Sequence, residues 1–210
     1  MSSAVIGGLT VVAAFFIGAI PWGYLFGRWV GGVDLRKVGS GGTGATNALR
    51  AIGWQASVAV LVLDMLKGFL PIFFAERWGV GEWWVAAAAV AAVLGHCYSP
   101  FIGFKGGKGV ATGAGAAIAL SPWFLLAAPI VIVVVAVTRY VSLGSILGAA
   151  AAAIIGIVLA ARGMEPWSVA VAVGIIAVLI VYLHRPNIDR LRNGNERKIG
   201  EKLTSQVQRP

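Results

Sequence analysis

Two glycine-rich segments combine a flexible backbone with side chains that bind anions. The first runs from Gly39 to Arg50 and reads GSGGTGATNALR. Glycine lets a backbone curl at positive φ, and consecutive amide groups can then converge on one anion. Arg50 can hold a phosphate through two parallel hydrogen bonds. The pattern favours a phosphate-binding loop over the alternative, a flexible turn in which Asn47 caps the helix that follows.

The second segment, residues 103–112, reads GFKGGKGVAT and leads into an apolar helix. Its glycine amides, Lys105 and Lys108 would meet a phosphate at a helix N-terminus, where the helix dipole favours negative charge. A Walker loop would need glycine and a hydroxyl where the chain has Ile102 and Gly109, so nucleotide hydrolysis is excluded. The alternative is a structural hairpin that carries two lysines.

A third polar segment follows the last apolar run and reads HRPNIDRLRNGNERKIG over residues 184–200. His184 and Asn187 are three residues apart, which would place both on one side of a helical turn. The arginines of this segment could bind anionic lipid headgroups instead. That alternative does not explain His184, Asn187 and Glu196.

Two charges, Asp64 and Lys67, lie inside the apolar run 54–75. Charges within a membrane are costly and usually face the protein interior or an aqueous cavity. A structural ion pair and support of a nearby site are both consistent with this placement. His96 precedes the second glycine-rich segment and is either a helix-capping residue or a ligand contact.

These segments belong to an unusually apolar chain. Of its 210 residues, 59% are hydrophobic and 12% are charged, whereas about a quarter of the residues of a soluble domain are charged. An ordinary soluble protein is therefore excluded. One cysteine, Cys97, and two histidines exclude an internal disulfide and leave no recognisable zinc site, so we expect no metal. The net charge of +9 is first a signal of membrane orientation, and no nucleic-acid partner is expected.

Seven apolar runs are bounded by glycine, proline or charge. A membrane-spanning helix needs about 20 residues, so a chain of this length holds at most about seven to nine spans with short connections and no large extramembrane domain. We predict an all-α, polytopic membrane protein that forms a single domain over residues 1–210. The runs lie near residues 4–27, 54–75, 82–97, 109–120, 122–138, 143–161 and 166–183.

The distribution of basic residues predicts the orientation, because lysine and arginine concentrate in cytoplasmic loops. With seven spans and the N-terminus outside, 14 of the 17 basic residues lie on the cytoplasmic side, together with the C-terminus. Only Arg77 and Arg162 fall outside, and Lys67 lies within a span. A kink at Ser121-Pro122 inside one long helix would move the basic tail outside, so two separate spans are favoured there.

Together these segments resemble one family, the bacterial acyl-phosphate:glycerol-3-phosphate acyltransferases, integral membrane enzymes that make lysophosphatidic acid. The resemblance covers nearly the whole chain in order, through GSGGTGATNALR, LDMLKG, GHCYSPFIGFKGGKGVATG, VSLGSI and HRPNIDRLRNGNERKIG. The chain departs from it at Gly42-Thr43, where the family commonly has Asn-Pro or Asn-Ile, and at Tyr98-Ser99, where Phe-Pro is common. The resemblance implies seven helices, an outside N-terminus and a cytoplasmic site in the bacterial inner membrane.

By this resemblance, the protein transfers a fatty acyl group from acyl phosphate to the C1 hydroxyl of glycerol-3-phosphate, without a cofactor. The expected partners are glycerol-3-phosphate, a long-chain acyl phosphate and membrane lipid, and the oligomeric state is open. The implied catalytic residues are Ser40, Arg50, Lys105, His184 and Asn187. The implied substrate-binding residues are Thr46, Asn47, Gly106, Gly107, Lys108, Gly109, Thr112, Ser142, Ser145 and Glu196, with Asp64, Lys67 and His96 as support.

Two questions stay open at this point. The hydroxyl proton could be removed by His184 as a general base or by an oxygen of a substrate phosphate. His184 and Asp189 also fit H-x-x-x-x-D, the dyad signature of a different, acyl-CoA-dependent acyltransferase family, whose other features are missing.

A transporter would also use interrupted helices and intramembrane charge, but the outer loops offer few polar groups. A purely structural membrane protein would not explain the two glycine-lysine segments.

Overall fold

The computed structural model describes residues 2–201, and this part of the chain contains helices and turns without a β-strand. The all-α prediction is therefore confirmed. Lys202 and Arg209, two of the basic residues in the orientation argument, lie outside the described residues. The α-helices are α1 (Ser3–Ala19), α2 (Trp22–Gly31), α3 (Ala45–Ile52), α4 (Trp54–Arg77), α5 (Glu82–Cys97), α6 (Val110–Leu120), α7 (Ala128–Thr138), α8 (Val141–Ala161), α9 (Trp167–Leu183) and α10 (Arg185–Arg192).

Four stretches in the described residues are long and apolar enough to cross a membrane: Ser3–Gly31, Trp54–Arg77, Glu82–Ile102 and Val141–Ala161. A fifth joins α9 to the polar helix α10 across a bend of 55°. The stretches Val110–Leu120 and Pro122–Thr138 are apolar but shorter. A multi-pass arrangement is thus supported, whereas the count of seven spans and the orientation stay predictions.

Proline divides two of the apolar stretches. The run 4–27 breaks at Ile20-Pro21 into α1 and α2, because proline has no amide hydrogen and disfavours helical backbone in the residue before it. At Ser121 the backbone is extended, with φ −164° and ψ 133°, and Pro122 begins a 3₁₀ turn that ends at Ala127. Helices α6 and α7 are therefore separate elements, not one kinked helix.

Glycine allows the helices to approach closely at their backbones, as small residues do in membrane proteins. A side chain added at Gly68 on α4 would overlap the carbonyl oxygen of Thr112 on α6. On the same contact, a side chain at Gly115 would overlap the carbonyl oxygen of Met65. The start of α6, which follows the second glycine-rich segment, is therefore held directly against α4.

The first glycine-rich segment is organised by the side chain of Asn47, which lies in the first turn of α3. Its amide nitrogen donates to the carbonyl oxygens of Leu35 at 2.9 Å, Val38 at 3.1 Å and Gly42 at 2.8 Å. Its oxygen accepts from the backbone amide of Ser40 at 3.0 Å. Asn47 is not the helix cap, because Gly44 occupies that position. The buried side chain instead holds the loop in one conformation.

The close contact between α4 and α6 generates a stability prediction. Gly115→Ala should lower the free energy of unfolding by about 1–3 kcal/mol, because the new methyl group has no room beside the Met65 carbonyl. Thermal unfolding of the detergent-solubilised protein measures the change. Gly174→Ala is the matched control, since a side chain added at that position of α9 meets nothing within 4 Å. Equal midpoints for the two variants would contradict the packing argument.

The Asn47 contacts generate a second prediction. Asn47→Ala leaves buried backbone groups without their partner, so it should destabilise the protein by about 1–3 kcal/mol. It should also speed amide hydrogen exchange across residues 35–44. Asn193→Ala, at an exposed position after α10, should change neither quantity. Unchanged exchange in the Asn47 variant would show that the loop is held by other contacts.

Candidate active site

Asn187 lies at the meeting point of the second and third polar segments. Its side-chain oxygen accepts a hydrogen bond from Nζ of Lys108, although the two residues are 79 positions apart. Its amide donates to Oε1 of Glu196 at 2.6 Å. Oε2 of Glu196 accepts from Nε of Arg190 at 2.8 Å. The side chains thus form one continuous polar network from the glycine loop to the C-terminal segment.

The turn between α9 and α10 positions Asn187 and His184 together. Pro186 sits in the first turn of α10, where a missing amide hydrogen costs no helical hydrogen bond. The amide of Asn187 donates to the carbonyl oxygen of His184 at 2.8 Å. Both side chains are buried. The three-residue spacing in the sequence therefore corresponds to one helical turn, from which Asn187 contacts Lys108.

His184, which lies just beyond the end of α9, has a defined tautomer. Its Nδ1 lies 2.7 Å from the carbonyl oxygen of Ile180, and a carbonyl only accepts, so Nδ1 carries the proton and Nε2 is free. Burial is the main cause that lowers the pKa of His184 to about 4; the hydrogen bond to Ile180 opposes the shift and the charge of Lys108 contributes to it. Asp189 is exposed and does not occupy Nδ1, so the His–Asp dyad geometry is not formed.

Lys108 is half-buried at the end of the second glycine-rich segment. Burial, together with the nearby charge of Arg190 and against the pull of Glu196, lowers the pKa of its ammonium group to about 8. Its hydrogen-bond partner Asn187 is neutral, so the positive charge of Lys108 is not cancelled by that contact. A charged lysine held at a defined position is suited to bind a phosphate.

The glycine amides of the same loop have a different use from the predicted one. The amide of Gly106 donates to the carbonyl oxygen of Cys97 at 3.1 Å, and that of Gly107 donates to the carbonyl oxygen of His96 at 3.3 Å. These two amides are therefore engaged by the end of α5 and are not directed at a ligand. A side chain at Gly107 would overlap the ring of His96. Glycine is required here for close packing, and Gly109, with φ +81°, caps α6.

Arg50 brings the first segment to the same end of the bundle. Its Nη2 donates to the carbonyl oxygen of Arg197 at 3.4 Å. Its Nε is buried and has no hydrogen-bond partner among the described residues. Beside it lies a cleft of about 350 Å³ lined by Leu49, Arg50, Arg139, Ile199, Gly200 and Glu201.

The C-terminal segment forms one wall of this cleft. The amide of Ile199 donates to the carbonyl oxygen of Arg139 at 2.8 Å, and Nη2 of Arg139 donates to the carbonyl oxygen of Ile199 at 2.9 Å. Ser142, in the first turn of α8, lies beside Glu196. Burial opposes ionisation of Glu196, but the hydrogen bond from Asn187, the neighbouring Ser142 hydroxyl and Arg190 together hold its pKa below the ordinary value.

Several predicted residues lie apart from this network. Lys105 and Ser40 are exposed on their loops, and Thr46 is partly exposed on α3. Thr112 is completely buried in α6, and Ser145 donates its hydroxyl to the carbonyl oxygen of Val141 at 2.9 Å.

One residue of the network, Arg190, is not singled out by sequence reasoning, which groups it with the lipid-binding arginines. The available signal is its spacing, since Arg190 lies three residues after Asn187 and so on the same side of α10. No group of three or more metal-ligating side chains is placed to hold a metal ion within residues 2–201.

The intramembrane charges form a buried cluster beside the second loop. Nζ of Lys67 lies 2.8 Å from Oδ1 of Asp64 and donates to the carbonyl oxygen of Ile20 at 2.7 Å. Nδ1 of His96 lies 3.6 Å from the same carboxylate oxygen. The ion pair therefore joins α4 to the end of α1 and to α5.

Comparison with known proteins agrees with this architecture. Residues 8–194 match the family model for glycerol-3-phosphate acyltransferase. The glycerol-3-phosphate acyltransferase of a Thermus thermophilus strain is 45% identical over 195 residues, which cover 92% of this chain and 96% of the relative. The enzyme of the same name from Geobacter sulfurreducens is 46% identical over 191 residues, which cover 90% and 95%.

Two solved structures share the fold, both of PlsY (YgiH), an integral membrane glycerol 3-phosphate acyltransferase. The glycerol 3-phosphate form aligns with a TM-score of 0.85 at 40% identity and covers 92% of this chain and 96% of that one. The lysophosphatidic acid form aligns with a TM-score of 0.81 at 38% identity and covers 92% and 95%. The resemblance inferred from the motifs is confirmed, and the chain belongs to the PlsY family of integral membrane glycerol-3-phosphate acyltransferases.

Proposed function

We propose that this protein transfers a long-chain acyl group from acyl phosphate to the C1 hydroxyl of glycerol-3-phosphate. The products are lysophosphatidic acid and inorganic phosphate, and the reaction is the first acylation step of phospholipid synthesis. The supporting observation is the convergence of Arg50, Lys108 and Asn187, from three distant segments, on one end of the bundle. The PlsY structures in glycerol 3-phosphate and lysophosphatidic acid forms support the same acceptor and product.

The site carries excess positive charge for two phosphate groups. Glu196 is neutralised by Arg190 at 2.8 Å, whereas Lys108 and Arg50 have no ion-pair partner among the described residues. In our proposal Lys108, with Lys105 on the exposed side of the loop, holds one phosphate. Arg50, with Ser40 and Asn187, holds the other, and the unprotonated Nε2 of His184 accepts a hydrogen bond from a substrate hydroxyl.

The reaction requires one bond to form and one to break. The C1 hydroxyl oxygen of glycerol-3-phosphate attacks the acyl carbonyl carbon, and the bond from that carbon to the phosphate oxygen breaks. The cations lower the barrier by stabilising the charge on the leaving phosphate. Holding both substrates in one orientation supplies much of the remaining acceleration. The acyl chain lies between helices, in contact with lipid.

A phosphate oxygen of the substrate is the better acceptor for the hydroxyl proton. Nε2 of His184 is unprotonated, but a pKa of about 4 makes it a weak base. A phosphate monoester has a second pKa of about 6, so its dianion binds a proton more strongly. We therefore propose that His184 orients the substrate. The hydroxyl proton goes to a phosphate oxygen, either of the leaving phosphate or of glycerol-3-phosphate.

The proposed orientation places this site at the cytoplasmic face of the bacterial inner membrane. Seven spans, which include the shorter helices α6 and α7, put the N-terminus outside and the C-terminus in the cytoplasm. The support is electrostatic, because Lys108, Arg50 and Arg190 then lie on the side where basic residues concentrate. Both glycine-rich loops and α10 would face the cytoplasmic pool of water-soluble glycerol-3-phosphate.

The acyl donor is tested by an assay on purified protein with labelled glycerol-3-phosphate. One reaction receives palmitoyl phosphate and a parallel reaction receives palmitoyl-CoA. We expect labelled lysophosphatidic acid only with palmitoyl phosphate, because the site offers cations for a leaving phosphate. Arg50→Gln is expected to lose at least about 100-fold in rate, as removal of one transition-state donor does in other enzymes. Product formed only from palmitoyl-CoA refutes the proposal, and so does the absence of product with both donors.

The pKa of Lys108 gives a pH prediction. Because burial lowers this pKa to about 8, the ammonium charge is present below pH 8 and is lost as the pH rises through it. The value of kcat/KM, which reports groups of the free enzyme, should therefore fall above about pH 8. Lys108→Arg should remove this alkaline fall, even if its maximum is lower, because arginine keeps its charge.

Rates are corrected for acyl phosphate hydrolysed without protein. An alkaline fall that persists unchanged in Lys108→Arg would assign the titration to another group.

A further inference from the structure

The proposed chemistry makes no use of the most deeply buried charges in the protein. Asp64, Lys67 and His96 are each at most 5% exposed. The charged groups of these side chains contact one another and the carbonyl oxygen of Ile20, and none of them is paired with Lys108 or Arg50. A charged pair is costly in the interior of a membrane protein, so its placement calls for a role. The contacts on either side of the cluster indicate what that role is.

On one side, the cluster fixes the loop that carries Lys108. His96 lies against Gly107, where an added side chain would overlap the imidazole ring. The carbonyl oxygen of His96 also accepts the amide of Gly107 at 3.3 Å. Lys108 is the next residue in the chain. The position of His96, which faces the Asp64 carboxylate at 3.6 Å, therefore determines where the backbone presents Lys108.

On the other side, the cluster fixes the break between α1 and α2. The last carbonyl groups of α1 lack helical partners, because helix ends leave them unpaired and Pro21 has no amide hydrogen. The carbonyl oxygen of Ile20 accepts from the amide of Trp22 at 3.1 Å and also from Nζ of Lys67 at 2.7 Å. The hydroxyl of Ser99 donates to the carbonyl oxygen of Ala19 at 2.6 Å. Helix α2 starts directly after this break, so Lys67 anchors its beginning.

Helix α2 passes this restraint on to the first glycine-rich segment. A side chain at Gly23 of α2 would overlap the carbonyl oxygen of Thr43, so the two backbones are in direct contact. The residues that precede the two loops also meet, because Nη1 of Arg36 donates to the carbonyl oxygen of Ile102 at 2.9 Å. Both loops are thus connected to one buried ion pair.

We propose that Asp64, Lys67 and His96 are positioning residues that hold the two glycine-rich loops, and so Lys108 and Arg50, at a fixed separation. None of the three contacts substrate in this proposal. Its activity readout rests on the proposed acyltransferase function, but its structural readout does not.

The main test is the double variant Asp64→Asn/Lys67→Met, which removes both charges and leaves no isolated buried charge. Such replacements are often neutral for folding, so the thermal midpoint should stay near that of the wild type. The value of kcat should fall by at least about tenfold with a smaller change in KM, because displacement of catalytic groups by about 1 Å can cost about 100-fold. Amide exchange across residues 103–109 should accelerate by at least about tenfold, while exchange across residues 77–82 stays unchanged.

Ser168→Ala is the control, because it removes a buried hydroxyl, 1% exposed, in the first turn of α9. It should leave kcat and loop exchange unaltered. If the double variant does not fold, His96→Gln carries the same test, since it removes the imidazole without exposing a new charge.

Normal kcat and unchanged loop exchange in a folded variant would overturn the positioning role. If the wild type shows no transfer from palmitoyl phosphate, the proposed function fails, while the exchange measurement still decides whether the cluster positions the loop.

Discussion

The hydrogen bond between Lys108 and Asn187 is the interaction on which the site depends. A lysine drawn into the protein needs a partner, and the partner could have been a carboxylate. Asn187 is neutral, so it orients the ammonium group without cancelling its charge. The one carboxylate in the network, Glu196, is bound instead to Arg190 and to the amide of Asn187. The arrangement keeps a net positive charge available for phosphate while each of these four side chains stays hydrogen-bonded.

This network can form only because three remote segments reach the same end of the bundle. The bend of 55° between α9 and α10 turns Asn187 toward the second loop. Glycines on α4 and α6 allow the start of α6, and therefore the loop before it, to lie directly against α4. In a membrane, where apolar side chains gain little by leaving lipid for each other, such close backbone contacts are an effective source of helix association.

Several features of the fold and of the candidate site could be predicted from the sequence, because they depend on local composition. The helical class follows from long apolar runs. The residue types and motif positions of four side chains mark them as candidate site residues: Arg50, Lys108, His184 and Asn187. The break at Pro21 is also encoded locally, although the apolar run around it predicts a single helix. These are features that a single segment determines without its neighbours.

The functions of glycine and asparagine in the loops could not be predicted in the same way. Gly106 and Gly107 have the composition of an anion-binding loop, yet their amides bind the end of α5. Asn47 is a residue type that often caps a helix or contacts a ligand, yet its side chain binds the backbone of its own loop. Which acceptor an amide meets depends on tertiary contacts that do not appear in one sequence. Arg190 is hard to distinguish for another reason, because its neighbours in the chain are also basic.

The hydrogen bonds of Asn47 determine when the first loop loses its conformational freedom. Fixing the backbone of one residue costs about 1–2 kcal/mol in entropy, so a loop that became ordered only around its ligand would cancel much of the affinity of a phosphate contact. Here the loop from Leu35 to Gly44 is already ordered by a buried side chain. That entropy is lost once, during folding, so under the proposed function each turnover would begin with a rigid loop whose contact energy remains available for the substrate.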